Sequence, residues 1–326
     1  MKKRMLWILA AAILLLLGGA LIETGKKVGL FGRSRAADLH RAFGAAEGKR
    51  TSFDHTISVD GLERQYLVHL PAGYSPTWPM PVVLNFHGGG GNAEWQQRET
   101  GMNATADTGG FVVVYPQGTS GPFGLGTWNA GSCCGLAMRR NVDDVKFTAA
   151  LLDDLASKHP VDKRRIFATG MSNGAMLVYR LACELSDRIA AVAPVAGALL
   201  DAGHCEPRRP IPVLHFHGTA DKLVPFEGGY GKIGSSGEFR SVVETISKFV
   251  QFNECSKEPE KAYDKGDATC QSFRSCKNSA DVNLCTIDGG GHTWPGAKPN
   301  DKRGKTSYNI SANDAMWDFF RSHPMP

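Results

Sequence analysis

The fold prediction starts from Thr169-Gly170-Met171-Ser172-Asn173-Gly174-Ala175, near the middle of this 326-residue chain. The segment has the Gly-x-Ser-x-Gly pattern of a nucleophile elbow, where a strand turns sharply into a helix and leaves the serine exposed. Glycines flank the serine because its backbone is strained and larger side chains would crowd the turn and an approaching substrate. The alternative is a glycine-rich turn around a buried serine, so the pattern has to be weighed against its surroundings.

Strand and helix patterns surround this segment. Residues 81–86, 111–115, 191–195 and 212–217 are nearly continuous apolar runs, typical of strands buried on both faces of a parallel sheet. The remaining predicted elements are strands over 65–70 and 165–169, helices beginning at Asn92 and Asp143, helices over 173–185, 238–252 and 312–320, and a hairpin over 269–287.

Alternating strands and helices predict an α/β fold, with a mostly parallel, doubly wound sheet flanked by helices. The spans between core strands are short, so we expect no large cap domain. Neither an internal repeat nor a shift in composition divides residues 51–326, which we interpret as one domain.

The N-terminal segment predicts export. An apolar run from Met5 to Ile22 follows Lys2-Lys3-Arg4, as in a signal peptide or an uncleaved membrane anchor over residues 1–22. Residues 23–50 are rich in Gly, Ala, Lys and Arg, and we interpret them as a linker. The domain is then secreted, extracellular or periplasmic, and it contacts a membrane only through this segment if the segment is uncleaved.

The net charge of +5 is a poor guide to partners. Residues 1–50 carry ten Lys and Arg against three Asp and Glu, so the rest of the chain is close to neutral, at −2. This balance gives little support to nucleic-acid binding.

Eight cysteines agree with an oxidising compartment and predict disulfides. Metal binding is the alternative, but the chain has no Cys-x-x-Cys pair. We expect the four cysteines between 255 and 285 to pair among themselves. One of Cys133 and Cys134 should bond Cys183 or Cys205, because a disulfide between adjacent cysteines is strained.

A serine nucleophile needs a base, and His292 is the candidate because it follows a predicted strand in a glycine-rich loop and comes last in the chain. Asp221 follows another buried strand and would orient that base. Asp143 and Asp144 precede Ser172, which breaks the expected order. His215 and His217 alternate along a strand near the site, and metal ligation is the alternative for them.

His87-Gly88-Gly89-Gly90-Gly91 follows a strand and fits an oxyanion hole, where backbone amides face a developing negative charge. We assign the hole to the amides of Gly89 and Asn173. A phosphate-binding loop is the alternative, but the Lys-Ser/Thr of a P-loop and the spaced Gly-x-Gly-x-x-Gly are both missing.

Together these motifs resemble the polyhydroxybutyrate depolymerase/feruloyl esterase family of secreted α/β-hydrolases. The resemblance covers roughly residues 51–322 and implies Ser172 as nucleophile, Asp221 as acid and His292 as base. The residues that carry it are 87–91, Tyr115-Pro116-Gln117-Gly118, residues 128–135, Val142-Asp143-Asp144-Val145, residues 170–176, 193–197, 217–226 and 289–296.

The predicted function is ester hydrolysis through an acyl-enzyme, without a cofactor or metal. The substrate would be an ester, possibly polymeric, such as a polyhydroxyalkanoate or a feruloylated polysaccharide. Trp128 and Trp294 could stack on it, or they could pack as local core. A peptidase or acyltransferase with the same triad and a non-catalytic exported binding module are the alternatives.

Overall fold

The computed structural model describes residues 55–121, 124–200, 205–231 and 238–326. Its strands are β1 (His55–Val59), β2 (Leu62–His69), β3 (Met80–Phe86), β4 (Val112–Pro116), β5 (Thr119–Ser120), β6 (Gly126–Thr127), β7 (Val161–Met171), β8 (Ala191–Val195), β9 (Val213–Gly218), β10 (Gly229–Tyr230), β11 (Glu238–Phe239), β12 (Glu260–Lys265), β13 (Ala268–Phe273) and β14 (Val282–Ile287).

Its α-helices are α1 (Ala93–Thr100), α2 (Met102–Gly109), α3 (Gly135–Arg139), α4 (Asp144–Lys158), α5 (Asn173–Glu184), α6 (Val242–Phe252) and α7 (Ala312–Arg321). Short 3-10 helices cover Lys277–Ser279 and Asp301–Arg303.

One ten-stranded sheet organises the described part of the chain, in the order β1-β2-β4-β3-β7-β8-β9-β14-β13-β12. The six central strands, from β4 to β14, run parallel to one another. Antiparallel pairs extend both edges. The carboxyl ends of the six parallel strands therefore meet along one edge of the sheet, which confirms the predicted fold class.

Two apolar clusters cover the two faces of the sheet. On one face, α4, α5 and α6 contribute Phe147, Leu181 and Phe249. On the other, Met102 of α2 and Phe320 of α7 belong to the second cluster. Neighbouring residues of a strand point to opposite faces, so both faces need apolar side chains, and this explains the continuous apolar runs.

Most predicted boundaries agree with the structure, and side-chain caps explain several of them. Asn92 accepts a hydrogen bond from the amide of Trp95, and Asp143 accepts one from Lys146. The helix predicted over 238–252 was too long. It begins at Val242 because Ser241 and Glu244 form a capping box, while Glu238–Phe239 pairs as strand β11.

The prediction about the disulfides was partly wrong. Cys255 pairs with Cys276 and Cys270 with Cys285, as expected. Cys183, however, bonds Cys205, whose Cα atom lies 4.8 Å away, and Cys133 bonds its neighbour Cys134. With both Cys183 and Cys205 engaged, neither is left as a partner for the adjacent pair.

The predicted signal peptide or anchor (1–22) and linker (23–50) lie outside the described residues. From His55 onward the described chain belongs to one compact unit. Within the described ranges, no helix has the length and apolar character needed to span a bilayer.

Candidate active site

The predicted site residues lie at the carboxyl ends of parallel strands. Ser172 directly follows β7, Asp221 follows β9, His292 follows β14, and the Gly88–Gly91 loop follows β3. These strands belong to one sheet and run in the same direction, so the four segments share its carboxyl edge. Ligand sites of open α/β sheets form at this edge.

Ser172 occupies a strained turn between β7 and α5. Its φ of 57° and ψ of −121° are unusual for a residue with a side chain. Its amide donates to the carbonyl of Val195 at 2.9 Å, which ties the turn to β8. The residue is 7% exposed, and its hydroxyl makes no hydrogen bond within the described ranges. The hydroxyl is therefore free to meet a ligand.

Close packing explains both glycines of the motif. A Cβ atom at Gly170 would lie 2.7 Å from the carbonyl oxygen of Phe86, and one at Gly174 would lie 2.4 Å from the same oxygen. Both distances are too short for a carbon–oxygen contact. The elbow can approach the end of β3 only because these two residues lack side chains.

His292 and Asp221 form a buried pair. The Nδ1–H group of His292 donates to Oδ2 of Asp221 at 2.7 Å, since a carboxylate can only accept. His292 is 2% exposed and Asp221 is 5% exposed. The amide of His292 donates to the carbonyl of Arg303 at 2.8 Å, and this hydrogen bond holds the loop that carries His292 in place. No hydrogen bond joins His292 to Ser172 in the described part of the chain.

Asp221 receives several donors. The amides of Leu223 and Val224 donate to its Oδ1 at 2.8 and 3.0 Å, and Nε2 of His217 lies 3.5 Å from its Oδ2. Burial alone would raise the pKa of Asp221. Hydrogen bonds from His217 and His292 outweigh burial, so its pKa lies below the ordinary value and the carboxylate stays ionised.

A buried chain of hydrogen bonds, which sequence reasoning missed, leads to this carboxylate. Nε2 of His217 lies 2.8 Å from the carbonyl of Val224, so it carries a proton and Nδ1 must accept. Nε2–H of His215 then donates to that Nδ1 at 2.9 Å, and the hydroxyl of Tyr179 donates to Nδ1 of His215 at 2.8 Å. The donors of Tyr179 and His215 therefore point toward His217, whose Nε2–H donates to the Val224 carbonyl and lies 3.5 Å from the Asp221 carboxylate.

Burial keeps two members of this chain, His215 and Tyr179, neutral. It lowers the pKa of His215 well below the ordinary value, and the nearby His217 adds to that effect. It also raises the pKa of Tyr179 well above 10. The alternation of His215 and His217 along a strand was the available sequence signal. The contact with Tyr179, which lies 36 positions before His215, could not be read from it.

The predicted oxyanion residues lie next to each other. A Cβ atom at Gly89 would lie 3.5 Å from the Cβ atom of Asn173, so the loop after β3 touches the elbow. Neither amide donates to another described residue. The side-chain amide of Asn173 is held by the backbone of Trp128, through hydrogen bonds of 2.8 and 3.0 Å.

His87 anchors the glycine loop. Its Nδ1–H group donates to the carbonyl of Gly88 at 2.8 Å, and its Nε2 accepts from the amide of Gly118 at 2.9 Å. Burial lowers the pKa of His87 to about 4, and the charge of Arg64 acts in the same direction. A Cβ atom at Gly126 would lie 2.8 Å from the His87 ring, so the imidazole can pack against this segment only because Gly126 has no side chain.

The rejected acid candidates have structural roles. Asp143 caps α4, as predicted. Asp144 is buried, and its two oxygens accept from Arg64 and from the amide of Asn129, each at 2.7 Å. Both carboxylates are therefore engaged away from His292.

Trp128 and Trp294 are packed inside the protein. Trp128 is fully buried, and its indole N–H donates to the carbonyl of His87 at 2.8 Å. Trp294 is 2% exposed and donates to Asn313 at 2.9 Å. The structure thus favours local packing, the alternative interpretation of both residues, over stacking on a substrate.

Among the described residues, no group of three or more His, Cys, Asp or Glu side chains is arranged to hold a metal ion. The ring nitrogens of His215 and His217 are occupied by the hydrogen bonds of the buried chain.

Comparison with known proteins places the chain in a family. The family model described as "Esterase PHB depolymerase" matches residues 64–209. A feruloyl esterase B of Piromyces equi is 33% identical over 270 residues, which cover 81% of this chain and 46% of that protein. A putative esterase NocK of Nocardia uniformis subsp. tsuyamanensis is also 33% identical, over 82% of each chain.

Solved structures agree at the level of the fold. An acetyl xylan esterase from Aspergillus awamori superimposes with a TM-score of 0.55 at 14% identity, over 79% of this chain and 94% of that one. This chain spans about half the length of the Piromyces relative and most of the Nocardia relative. On these matches, and with the sheet and elbow described above, the chain belongs to the polyhydroxybutyrate depolymerase/feruloyl esterase family of α/β-hydrolases.

Proposed function

We propose that this protein is an exported serine hydrolase of carboxylic esters that acts through Ser172, His292 and Asp221. The observation that carries the proposal is the buried His292–Asp221 hydrogen bond of 2.7 Å. It lies at the sheet edge where a strained serine has a hydroxyl without a hydrogen-bond partner among the described residues. A carboxylate on Nδ1 leaves Nε2 of His292 as the free base, which is the tautomer that a serine nucleophile requires.

In the first step, Nε2 of His292 takes the proton of the Ser172 hydroxyl while the oxygen attacks the ester carbonyl. The negative charge moves to the carbonyl oxygen, where the amides of Gly89 and Asn173 would donate hydrogen bonds. The imidazolium then gives its proton to the leaving alcohol oxygen, and the acyl group remains on Ser172.

In the second step, His292 takes a proton from water, and the hydroxide attacks the acyl-enzyme. Collapse of the tetrahedral intermediate releases the acid and returns the proton to Ser172. Asp221 stays ionised throughout and stabilises the imidazolium in both steps. The hydrogen bonds that keep the pKa of Asp221 low support this role.

The substrate class follows from the family and the architecture. Relatives named as feruloyl esterases and a family model of polyhydroxybutyrate depolymerases support a polymeric ester, either a polyhydroxyalkanoate or a feruloylated polysaccharide. The segment between β9 and β14 contains α6 and the β12–β13 hairpin, which extends one edge of the main sheet. From the short spans between the core strands we infer a cleft without a large cap domain, which would suit a polymer chain.

Export is supported by the four disulfides of the described chain, because such bonds persist in oxidising compartments. Mass spectrometry of the unreduced protein should find all eight cysteines oxidised, and eight free thiols would contradict export.

The proposal is tested by comparing wild type with Ser172→Ala on a short 4-nitrophenyl ester, polyhydroxybutyrate and methyl ferulate. The variant should lose at least about 10³-fold in kcat/KM on every substrate that wild type hydrolyses. Ser157→Ala, which changes an exposed serine on α4, is the matched control. Undiminished turnover by Ser172→Ala would contradict the assignment. Hydrolysis of peptides in preference to all three esters would point to a peptidase.

A further inference from the structure

A small cavity borders the proposed oxyanion loop. It holds about 200 Å³ and is lined by Gly89–Gly91, Asn92, Trp95, Arg98 and Arg303. Pockets for drug-sized ligands usually measure about 300–1,000 Å³, so this one suits a short group of a larger molecule.

Its charged lining is entirely cationic. The Arg303 guanidinium lies over the ring of Trp95, with its central carbon 4.9 Å from the ring centroid. Arg98 forms a long ion pair with Glu94, with 3.9 Å between Nη1 of Arg98 and Oε2 of Glu94. No carboxylate of the described residues forms an ion pair with Arg303. Two arginines therefore line one small space whose lining includes no carboxylate, and the nearest partner of Arg98 is Glu94 on its own helix.

The cavity shares residues with the segments that carry the proposed site. Gly89, whose amide we place in the oxyanion hole, forms part of its wall. Arg303 forms another part, and its backbone carbonyl accepts the hydrogen bond from the amide of His292 at 2.8 Å. A group bound here would lie next to the loop that we place around the ester carbonyl oxygen.

We propose that this cavity is a carboxylate-binding subsite, which selects esters that carry a second, ionised carboxyl group a few bonds from the scissile carbonyl. Guanidinium groups bind carboxylates through charge-assisted and often bidentate hydrogen bonds, and Arg is the side chain best suited to this geometry. Trp95 holds one of the two groups in place. This inference rests on the proposed ester hydrolysis and narrows its substrate class.

The test compares two matched substrates, the mono-4-nitrophenyl ester of adipic acid and the corresponding adipic acid amide, which is neutral. Wild type should prefer the charged substrate about tenfold in kcat/KM at low ionic strength, and the preference should decrease as salt is added. In Arg303→Gln and Arg98→Gln the ratio of the two kcat/KM values should approach one. Arg321→Gln, on the exposed end of α7, is the control and should keep the wild-type ratio.

A wild-type ratio near one, or a ratio that Arg303→Gln leaves unchanged, would overturn the subsite. A failed proposed function gives a different result, because wild type would then hydrolyse neither substrate, or Ser172→Ala would hydrolyse both as wild type does. Calorimetric titration with adipic acid monoamide needs no turnover. It should give weaker binding in Arg303→Gln than in wild type, and undetectable binding in wild type would also refute the subsite.

Discussion

Lowering the pH tests the role of His87 with a magnitude taken from the structure. The buried ring has a pKa of about 4, whereas an unfolded histidine has a pKa of about 6.5. Between these values the unfolded chain binds a proton that the folded chain does not bind. Stability is therefore complete above pH 6.5 and is lost as the pH falls toward 4. The difference of about 2.5 pH units corresponds to a loss of about 3 kcal/mol in the free energy of unfolding.

The cause is visible in the contacts of the ring. A protonated His87 could no longer accept the hydrogen bond from the amide of Gly118, and its new N–H group would face that donor. The glycine loop that carries Gly89 would then lose the hydrogen bond that connects His87 to Gly118. Loss of esterase activity should accompany the loss of stability.

Urea unfolding at intervals from pH 7 to pH 4 measures this effect. The free energy of unfolding of wild type should fall more steeply with decreasing pH than that of His87→Gln, whose side chain at this position cannot titrate. The two free energies should differ by about 3 kcal/mol more at pH 4 than at pH 7. If the variant fails to fold, the NMR titration of the His87 ring in wild type gives the pKa directly. Parallel stability curves, or a ring that titrates near pH 6.5, would refute the reasoning.

Three further substitutions probe the site. Asp221→Asn should lower kcat/KM by about 10²–10⁴-fold, whereas Asp143→Asn, which still caps its helix, should keep kcat/KM within about twofold of wild type. The reverse pattern would assign the role of the orienting acid to Asp143. His217→Leu should lose about tenfold or more in kcat/KM because it removes the buried N–H group that lies 3.5 Å from the Asp221 carboxylate and holds the Val224 carbonyl, and His217→Gln should recover part of that loss. Equal losses of kcat/KM in His217→Leu and His217→Gln would argue against a role of His217 in positioning the Asp221 carboxylate. Gly174→Ala should lower the free energy of unfolding by about 3 kcal/mol or more, since its methyl group would overlap the Phe86 carbonyl; an unchanged Tm would contradict this.

Local patterns predicted the core of the fold well. Strands such as β3 and β8 are buried on both faces, so their sequences are nearly continuous apolar runs. Edge strands were missed because their burial is low: β12 is exposed along almost its whole length, and its sequence resembles a polar loop. The capping side chains of Asn92 and Asp143 marked helix starts correctly because capping depends only on residues close in sequence.

Features that depend on distant contacts could not be predicted. The pairing of Cys183 with Cys205 and the full burial of Trp128 follow from tertiary packing. The chain order of Ser172, Asp221 and His292 was readable, and the structure brings the last two together. The environment of Asp221, by contrast, includes His217 and the hydrogen-bond chain behind it, which only the packing of α5 against β9 reveals.

Trapping of the acyl-enzyme is the most direct test of Ser172 as the nucleophile. The enzyme would be mixed with excess 4-nitrophenyl ester, quenched in acid within milliseconds, digested and examined by mass spectrometry. We predict one acyl group per molecule, on the peptide that contains Ser172, and none on that peptide in Ser172→Ala. An acyl group on any other residue, or turnover that persists in Ser172→Ala, would contradict the proposed mechanism.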